Sequence, residues 1–203
     1  MGARHLLAAD LPAAAAALAR AFADDPMLTW LSGDAESPGR REDAAQAFFA
    51  PSLAAGLRRG HTYGIAGEDG FDAVSVWSPP DVPMLDDADT PAFADGFNTH
   101  FGEDSLGRLI ELGAVAGELH PTEPHFYLFI VGAAVHGRGA GAQVIGPTLE
   151  RCDVEGLPVY LESSNPRNIA FYERLGFSSR WEQRIGDDGP LLTGMWRDPR
   201  PVD

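Results

Sequence analysis

The chain has 203 residues, 44% of them hydrophobic, and a net charge of −15. That length and composition suit one domain with an ordinary core, and the acidic balance argues against a nucleic-acid partner or an anionic membrane surface. None of the 15 basic residues is a lysine, which excludes a Walker-type lysine, a kinase lysine and a pyridoxal Schiff base.

Residues 4–8 read as a short first strand. Asp10 is placed to cap a helix over Leu11–Phe22, with Pro12 in its first turn and an alanine run of high helix propensity. That run follows Asp10 and Pro12 and closes at Arg20, unlike a signal peptide. No apolar stretch approaches the roughly 20 residues of a membrane span, so a cytoplasmic protein without a membrane partner is expected. DDPMLTWL (24–31) predicts a second short helix capped by an Asp, and 32–40 a polar loop. A helix at 41–58 carries Ala44, Phe48 and Ala55 on one stripe. HTYGIAG (61–67) and FDAVSVWSP (71–79) form a hairpin around Glu68-Asp69-Gly70.

Residues 79–124 are punctuated by prolines and hold two helical stretches, 90–100 and 104–119. They read as a helical cover over the sheet within a single domain spanning 1–203. The acidic patch Asp86, Asp87 and Asp89 reads as a solvated turn. Trp30, Phe93, Phe97 and Phe101 read as core, with an acceptor-pocket wall as the other option.

HFYLFIV (125–131) is an apolar strand, followed by a glycine loop and a helix to Val154 that Pro147 should kink or deprive of one bond. LPVYLE (157–162) is another strand. Asn165 and Pro166 open a helix that Gly176 stops. Phe177–Ile185 and Leu191–Arg197 make a closing hairpin. The one cysteine, Cys152, reads as core filler. With no cysteine cluster, no HExxH and no GxSxG, neither a metal site nor a serine nucleophile is predicted.

The loop HGRGAGAQVIG (136–146) is the chemical signal. Glycines at 137, 139 and 141 precede a helix whose first N–H groups have no intrahelical acceptor, and a phosphate fits such a place. Gly137-Arg138-Gly139-Ala140-Gly141-Ala142 matches G-x-G-x-x-A, with Glu162 where a ribose partner would sit. A dinucleotide fold needs further βαβ units, however, and only about 60 residues follow, ending in a hairpin.

A second reading covers more residues. Val131 to Gly141 resembles the pyrophosphate loop of the GNAT acetyltransferase superfamily, with His136 where Gln or Arg is usual. The stretch LPVYLESSNPRNIAFYERLGF (157–177) resembles that family's second signature. AFADDP, VWSPP and the TGMWRDP tail are similar to a bacterial subgroup that includes puromycin N-acetyltransferase.

The resemblance implies an α/β domain with a mixed, mostly antiparallel sheet of about seven strands flanked by helices. It implies acetyl-CoA as donor and a small-molecule primary amine as acceptor, with direct transfer and a monomer or homodimer. The pyrophosphate would rest on His136, Gly137, Arg138, Gly139, Ala140, Gly141 and Ala142. The backbone of Phe129, Ile130 and Val131 would hold the thioester carbonyl where two strands splay.

Tyr172 would protonate the leaving thiolate, since a phenol of pKa about 10 can serve a thiol of about 8.5. Asn168, four residues earlier, shares its helix face. The protonated amine needs a base, and Glu162 and His125 are the two candidates. His136 and the absence of the usual proline before the glycines leave a second possibility, a non-catalytic acyl-CoA-binding module of the same fold.

Overall fold

The structure is a computed structural model, and it describes residues 2–33, 40–134 and 139–201. Seven strands form one sheet in the order β1-β2-β3-β4-β5-β7-β6. They are β1 (Arg4–His5), β2 (Thr62–Gly67), β3 (Gly70–Ser78), β4 (Phe126–Ala133), β5 (Val159–Ser163), β6 (Ser178–Arg184) and β7 (Leu191–Arg197). Only the β4–β5 pair is parallel. The sheet is thus the mixed, mostly antiparallel one expected.

The first strand is shorter than expected. The chain turns at Ala8–Asp10 into a 3₁₀ turn before α1 (Leu11–Ala21). Asp10 does not cap α1 with its side chain. Its carboxylate reaches back to accept the Leu7 N–H at 2.8 Å and to pair with Arg4, because the 3₁₀ turn places Asp10 already in helical geometry.

The alanine run has a packing reason. Ala14, Ala15, Ala17, Leu18 and Ala19 are buried, and small side chains let α1 lie close on the sheet. Gly132 of β4 is the matching surface. A Cβ there would stand 2.8 Å from Leu18 Cδ2 and 3.0 Å from the Phe22 ring, so the close approach needs glycine.

Asp25 caps α2 (Pro26–Leu31), accepting the N–H groups of Met27 at 2.9 Å and Leu28 at 3.2 Å. The next helix is composite, running from α3 (Arg40–Ala44) through a π turn (Ala45–Phe49) into α4 (Ala50–Arg58). A π turn is wider than an α turn, so successive residues are less spread around the axis. Phe48 and Phe49 both line one cavity here.

The cover consists of α5 (Thr90–Phe101) and α6 (Glu103–Leu119). Its acidic lead-in is not simply a solvated turn. Asp89 is buried and pairs with Arg58 and, at 3.1 Å, with Arg59. Burying that carboxylate requires the paired guanidiniums.

After β4, α7 (Ala140–Glu155) continues as one helix through Pro147; the proline removes one donor, not the helix. The helix α8 (Pro166–Arg174) starts at Asn165, which accepts the Arg167 N–H at 3.1 Å. Among the described residues no helix is long and apolar enough to cross a membrane.

Candidate active site

The site begins where two strands part. β4 and β5 pair only at Phe126–Val159 and Tyr127–Tyr160. Beyond Tyr127, β4 stays bonded to β3 up to Ala133 but leaves β5. Its register against β3 shifts as well: Val76 faces Ile130 while Trp77 faces Leu128, so Phe129 is an extra residue in a bulge. A bulge bends its strand and re-aims its backbone groups. The splay and the bulge fall together at Phe129–Val131, the segment to which the family resemblance assigned the thioester carbonyl.

A cleft of about 610 Å³ fills the opening. Val131, Gly132 and Ala133 of β4 form its floor, and Gly139, Ala140, Gly141 and Ala142 one end. Asn168, Phe171 and Tyr172 of α8 line the facing wall. Gly139 sits at φ +70°, a left-handed conformation that favours glycine, and opens α7. The first helical bond runs from the Gln143 N–H to the Gly139 carbonyl at 3.0 Å. The N–H groups of Ala140, Gly141 and Ala142 therefore lack intrahelical acceptors and can meet an anion. A Cβ on Gly141 would lie 3.7 Å from the Phe171 ring and 4.0 Å from Ala133. The protein itself leaves room for it, so what the glycine preserves is space in the cleft.

Arg20, Arg167 and Arg174 also line the cleft, three guanidiniums beside the carboxylates of Asp24 and Asp25. Its fit to a pyrophosphate-bearing nucleotide rests on these guanidiniums and that helix start. His136, Gly137 and Arg138, which the sequence assigned to the same loop, lie outside the described residues.

An apolar cavity of about 210 Å³ lies on the other side of the same opening. Its walls include Phe22, Leu28, Phe48, Phe129 and Ile130, with Phe93, Leu109 and Leu112 from the cover. Of the four aromatics considered in the sequence, Phe93 lines this cavity. Phe97 is fully buried, Trp30 is buried with its Nε1–H donated to Asp188 at 3.0 Å, and Phe101 packs half-buried against the core. A third cavity of about 520 Å³, edged by His120, Glu123 and His125, shares Leu85, Gly113, Ala116, Tyr127 and Phe129 with the apolar one.

Two carboxylates stand on the apolar cavity. The Glu162 side chain is only 8% exposed. Its Oε2 accepts the Tyr127 hydroxyl at 2.6 Å, and its Oε1 is buried with no hydrogen-bond partner among the described residues. Burial and the adjacent Glu162 charge push the Tyr127 phenol well above its usual value, so Tyr127 remains a donor. Asp25 lines both the cleft and the apolar cavity, as does Phe22. Besides its capping bonds it takes the Ser164 hydroxyl at 3.1 Å. Burial raises its pKa from the ordinary aspartate value, against the lowering effect of its hydrogen bonds. Tyr172 is buried on the cleft side, and burial together with the Asp25 charge raises its phenol pKa. It holds its proton at neutral pH, as an acid must.

The two candidate bases are placed differently. Glu162 lies on the apolar cavity. His125 precedes β4, is buried, lines the third cavity, and has Nδ1 2.6 Å from the Glu123 carbonyl. Burial lowers its pKa. His120, not singled out in the sequence, is the histidine nearest Glu162, with Nδ1 3.8 Å from Oε1, and its ring meets those of Tyr127 and His125 at 4.9 Å. Asp25 was legible only as a helix cap. That role accounts for an Asp before Pro26, so no local signal marks its second position between two cavities.

Known proteins share this fold. Residues 95–198 match the acetyltransferase (GNAT) domain family. An uncharacterised N-acetyltransferase of Schizosaccharomyces pombe is 31% identical over 189 residues, covering 87% of this chain and 74% of its own. The fold matches a crystal structure from Corynebacterium glutamicum described as histone acetyltransferase HPA2 and related acetyltransferase. The TM-score is 0.66, with 22% identity, 100% of this chain and 99% of that one. It also matches a Drosophila melanogaster polyamine N-acetyltransferase, with TM-score 0.67, 13% identity, and 97% and 98% coverage. The chain belongs to the GNAT acetyltransferase family and is an acyltransferase.

Proposed function

We propose that the protein transfers the acetyl group of acetyl-CoA directly to the primary amine of a small molecule. One observation carries this reading: the nucleotide-sized cleft and the apolar cavity meet at shared walls, Phe22 and Asp25. A transferase that forms no covalent enzyme intermediate needs its two substrates in such contact. The bound donor supplies an acetyl thioester. The start of α7 and Arg20, Arg167 and Arg174 hold its anionic end. Backbone N–H groups at the Phe129 bulge, released from β5, stabilise negative charge on the carbonyl oxygen.

Glu162 accepts the proton of the incoming ammonium. The amine nitrogen then forms the new C–N bond, the C–S bond breaks, Tyr172 Oη protonates the departing sulfur, and the second proton, lost from the new amide nitrogen, restores the Tyr172 hydroxyl. His125 edges the third cavity and has its Nδ1 at the Glu123 carbonyl, which favours Glu162 as the base. The TGMWRDP tail and AFADDP support placement in the subgroup that includes puromycin N-acetyltransferase. The Drosophila relative's named polyamine substrate is in keeping with a small amine.

Calorimetric titration of acetyl-CoA, followed by thiol release over a panel of amines, tests the reading. Binding and amine-dependent release are expected. Tyr172→Phe should lower kcat roughly 100-fold, since general-acid catalysis supplies about that much, while leaving acetyl-CoA affinity near wild type. No binding of acetyl-CoA, or an unchanged rate in Tyr172→Phe, would overturn the assignment.

A further inference from the structure

The apolar cavity narrows the choice of amine, given the acetyltransferase reading above. Its two charged walls are linked: Asp25 accepts the hydroxyl of Ser164 at 3.1 Å, two residues after Glu162. Among the described residues lining it, only Asp25 and Glu162 carry charge. Among the described residues Glu162 Oε1 is buried with no hydrogen bond, and the Tyr160 hydroxyl that neighbours Glu162 is buried and unbonded as well; a single neutral hydroxyl does not offset the charge of a buried carboxylate. An ammonium brings the opposite charge and three donors. His120 Nδ1 stands 3.8 Å away, beyond hydrogen-bond range. Tyr127, Phe129 and Phe48 bring aromatic rings to the same region, where faces attract a cation.

The far end is different in kind. Leu109 lies seven residues before Ala116 on α6, about 10 Å along the axis at the helical rise. Leu31, Phe93 and Leu192 line the cavity and form one hydrophobic cluster against which Leu109 packs. A second cation placed there would be buried without a partner, which costs far more than burying a methyl group. The volume sets a size. A dry cavity of about 150 Å³ accepts benzene, so 210 Å³ holds a body of about eight heavy atoms on the same scale.

We infer that the acceptor is a compact monoamine with a hydrocarbon or aromatic body, its ammonium seated between Glu162 and Asp25 and its apolar end against Leu109 and Phe93. Diamines and guanidine-bearing amines are rejected by the uncharged end. This departs from the polyamine substrate named for the Drosophila relative, which shares the fold at 13% identity.

Hexylamine and cadaverine isolate the point, because they differ only by exchange of a terminal methyl for a second ammonium. The wild-type enzyme should favour hexylamine in kcat/KM by about 100-fold or more, the scale of leaving a buried charge unpaired. Leu109→Glu, at a half-buried helix position, should narrow that ratio by at least about tenfold. Equal or better use of cadaverine by the wild type, or a ratio unmoved by Leu109→Glu in a folded variant, would overturn the inference while leaving amine acetylation intact. Bound acetyl-CoA with neither amine acetylated also overturns it. Failure to bind acetyl-CoA instead removes the acetyltransferase reading on which it rests.

Discussion

Replacing Asp153 by Asn should unlatch the helices that flank the cleft. Arg197 of β7 is 3% exposed and grips Asp153 of α7 through two bonds of 2.7 Å, Nη1 to Oδ1 and Nη2 to Oδ2. Its Nε–H donates to the Leu175 carbonyl at the end of α8. The Arg200 N–H also donates to Asp153 Oδ1 at 2.7 Å. An Asn can present one carbonyl oxygen to the guanidinium, but its NH₂ then faces another donor.

One charge-assisted bond is lost, the other is weakened, and a buried guanidinium is left uncompensated. The cost should be about 3 kcal/mol. For a chain of this length each kcal/mol is worth about 2–4 °C, so the melting temperature should fall by about 6–12 °C.

The pH dependence follows from the same pair. Its hydrogen bonds to Arg197 hold the Asp153 pKa below the usual carboxylate value. A group with a depressed folded-state pKa gives stability that is complete above the unfolded pKa of about 3.9 and lost as pH falls through the folded value. The gap between wild type and variant should therefore be full at pH 7 and shrink below about pH 4. Thermal denaturation followed by circular dichroism at a series of pH values measures it. A gap under about 0.5 kcal/mol at pH 7, or one that stays constant down to pH 3, would refute the reasoning.

Asp25→Asn tests a carboxylate held at an energetic cost. Asn caps α2 as well as Asp does, and burial raises the Asp25 pKa in the fold. The raised pKa means that its ionised form opposes folding at neutral pH and ceases to do so in acid. The variant should be as stable as wild type at pH 7, or up to about 1 kcal/mol more so, with a raised KM for the acceptor amine; clear destabilisation at pH 7 would contradict this. Cys152 is fully buried and its thiol is pushed up to about 12 by burial. It should resist thiol reagents in the native protein and react on unfolding, and rapid native labelling would show that the core around α7 opens.

The sequence by itself determined the elements and most of their limits, because the signals for those are local. Asp25 before Pro26 and Asn165 before Pro166 start helices by satisfying N–H groups within three residues, and the Glu68-Asp69-Gly70 turn joins its hairpin through neighbours. It also marked the helix start at Gly139–Ala142, Tyr172 and Asn168 on one face of α8, and Glu162 at a strand end. Local reading failed where a side chain answers a distant partner: Asp89 is buried because Arg58 and Arg59, at the end of α4, reach it, and Asp10 turns back to Arg4 and Leu7.

Only the tertiary structure decided that β4 and β5 part after two residue pairs, that Phe129 is the bulged residue, and that Asp25 stands between cleft and cavity. The bond from Tyr127 to Glu162 joins two strands, and that from Ser164 to Asp25 joins residues 139 positions apart. Such contacts depend on how whole elements pack, and the pattern of residues within any one element does not encode them.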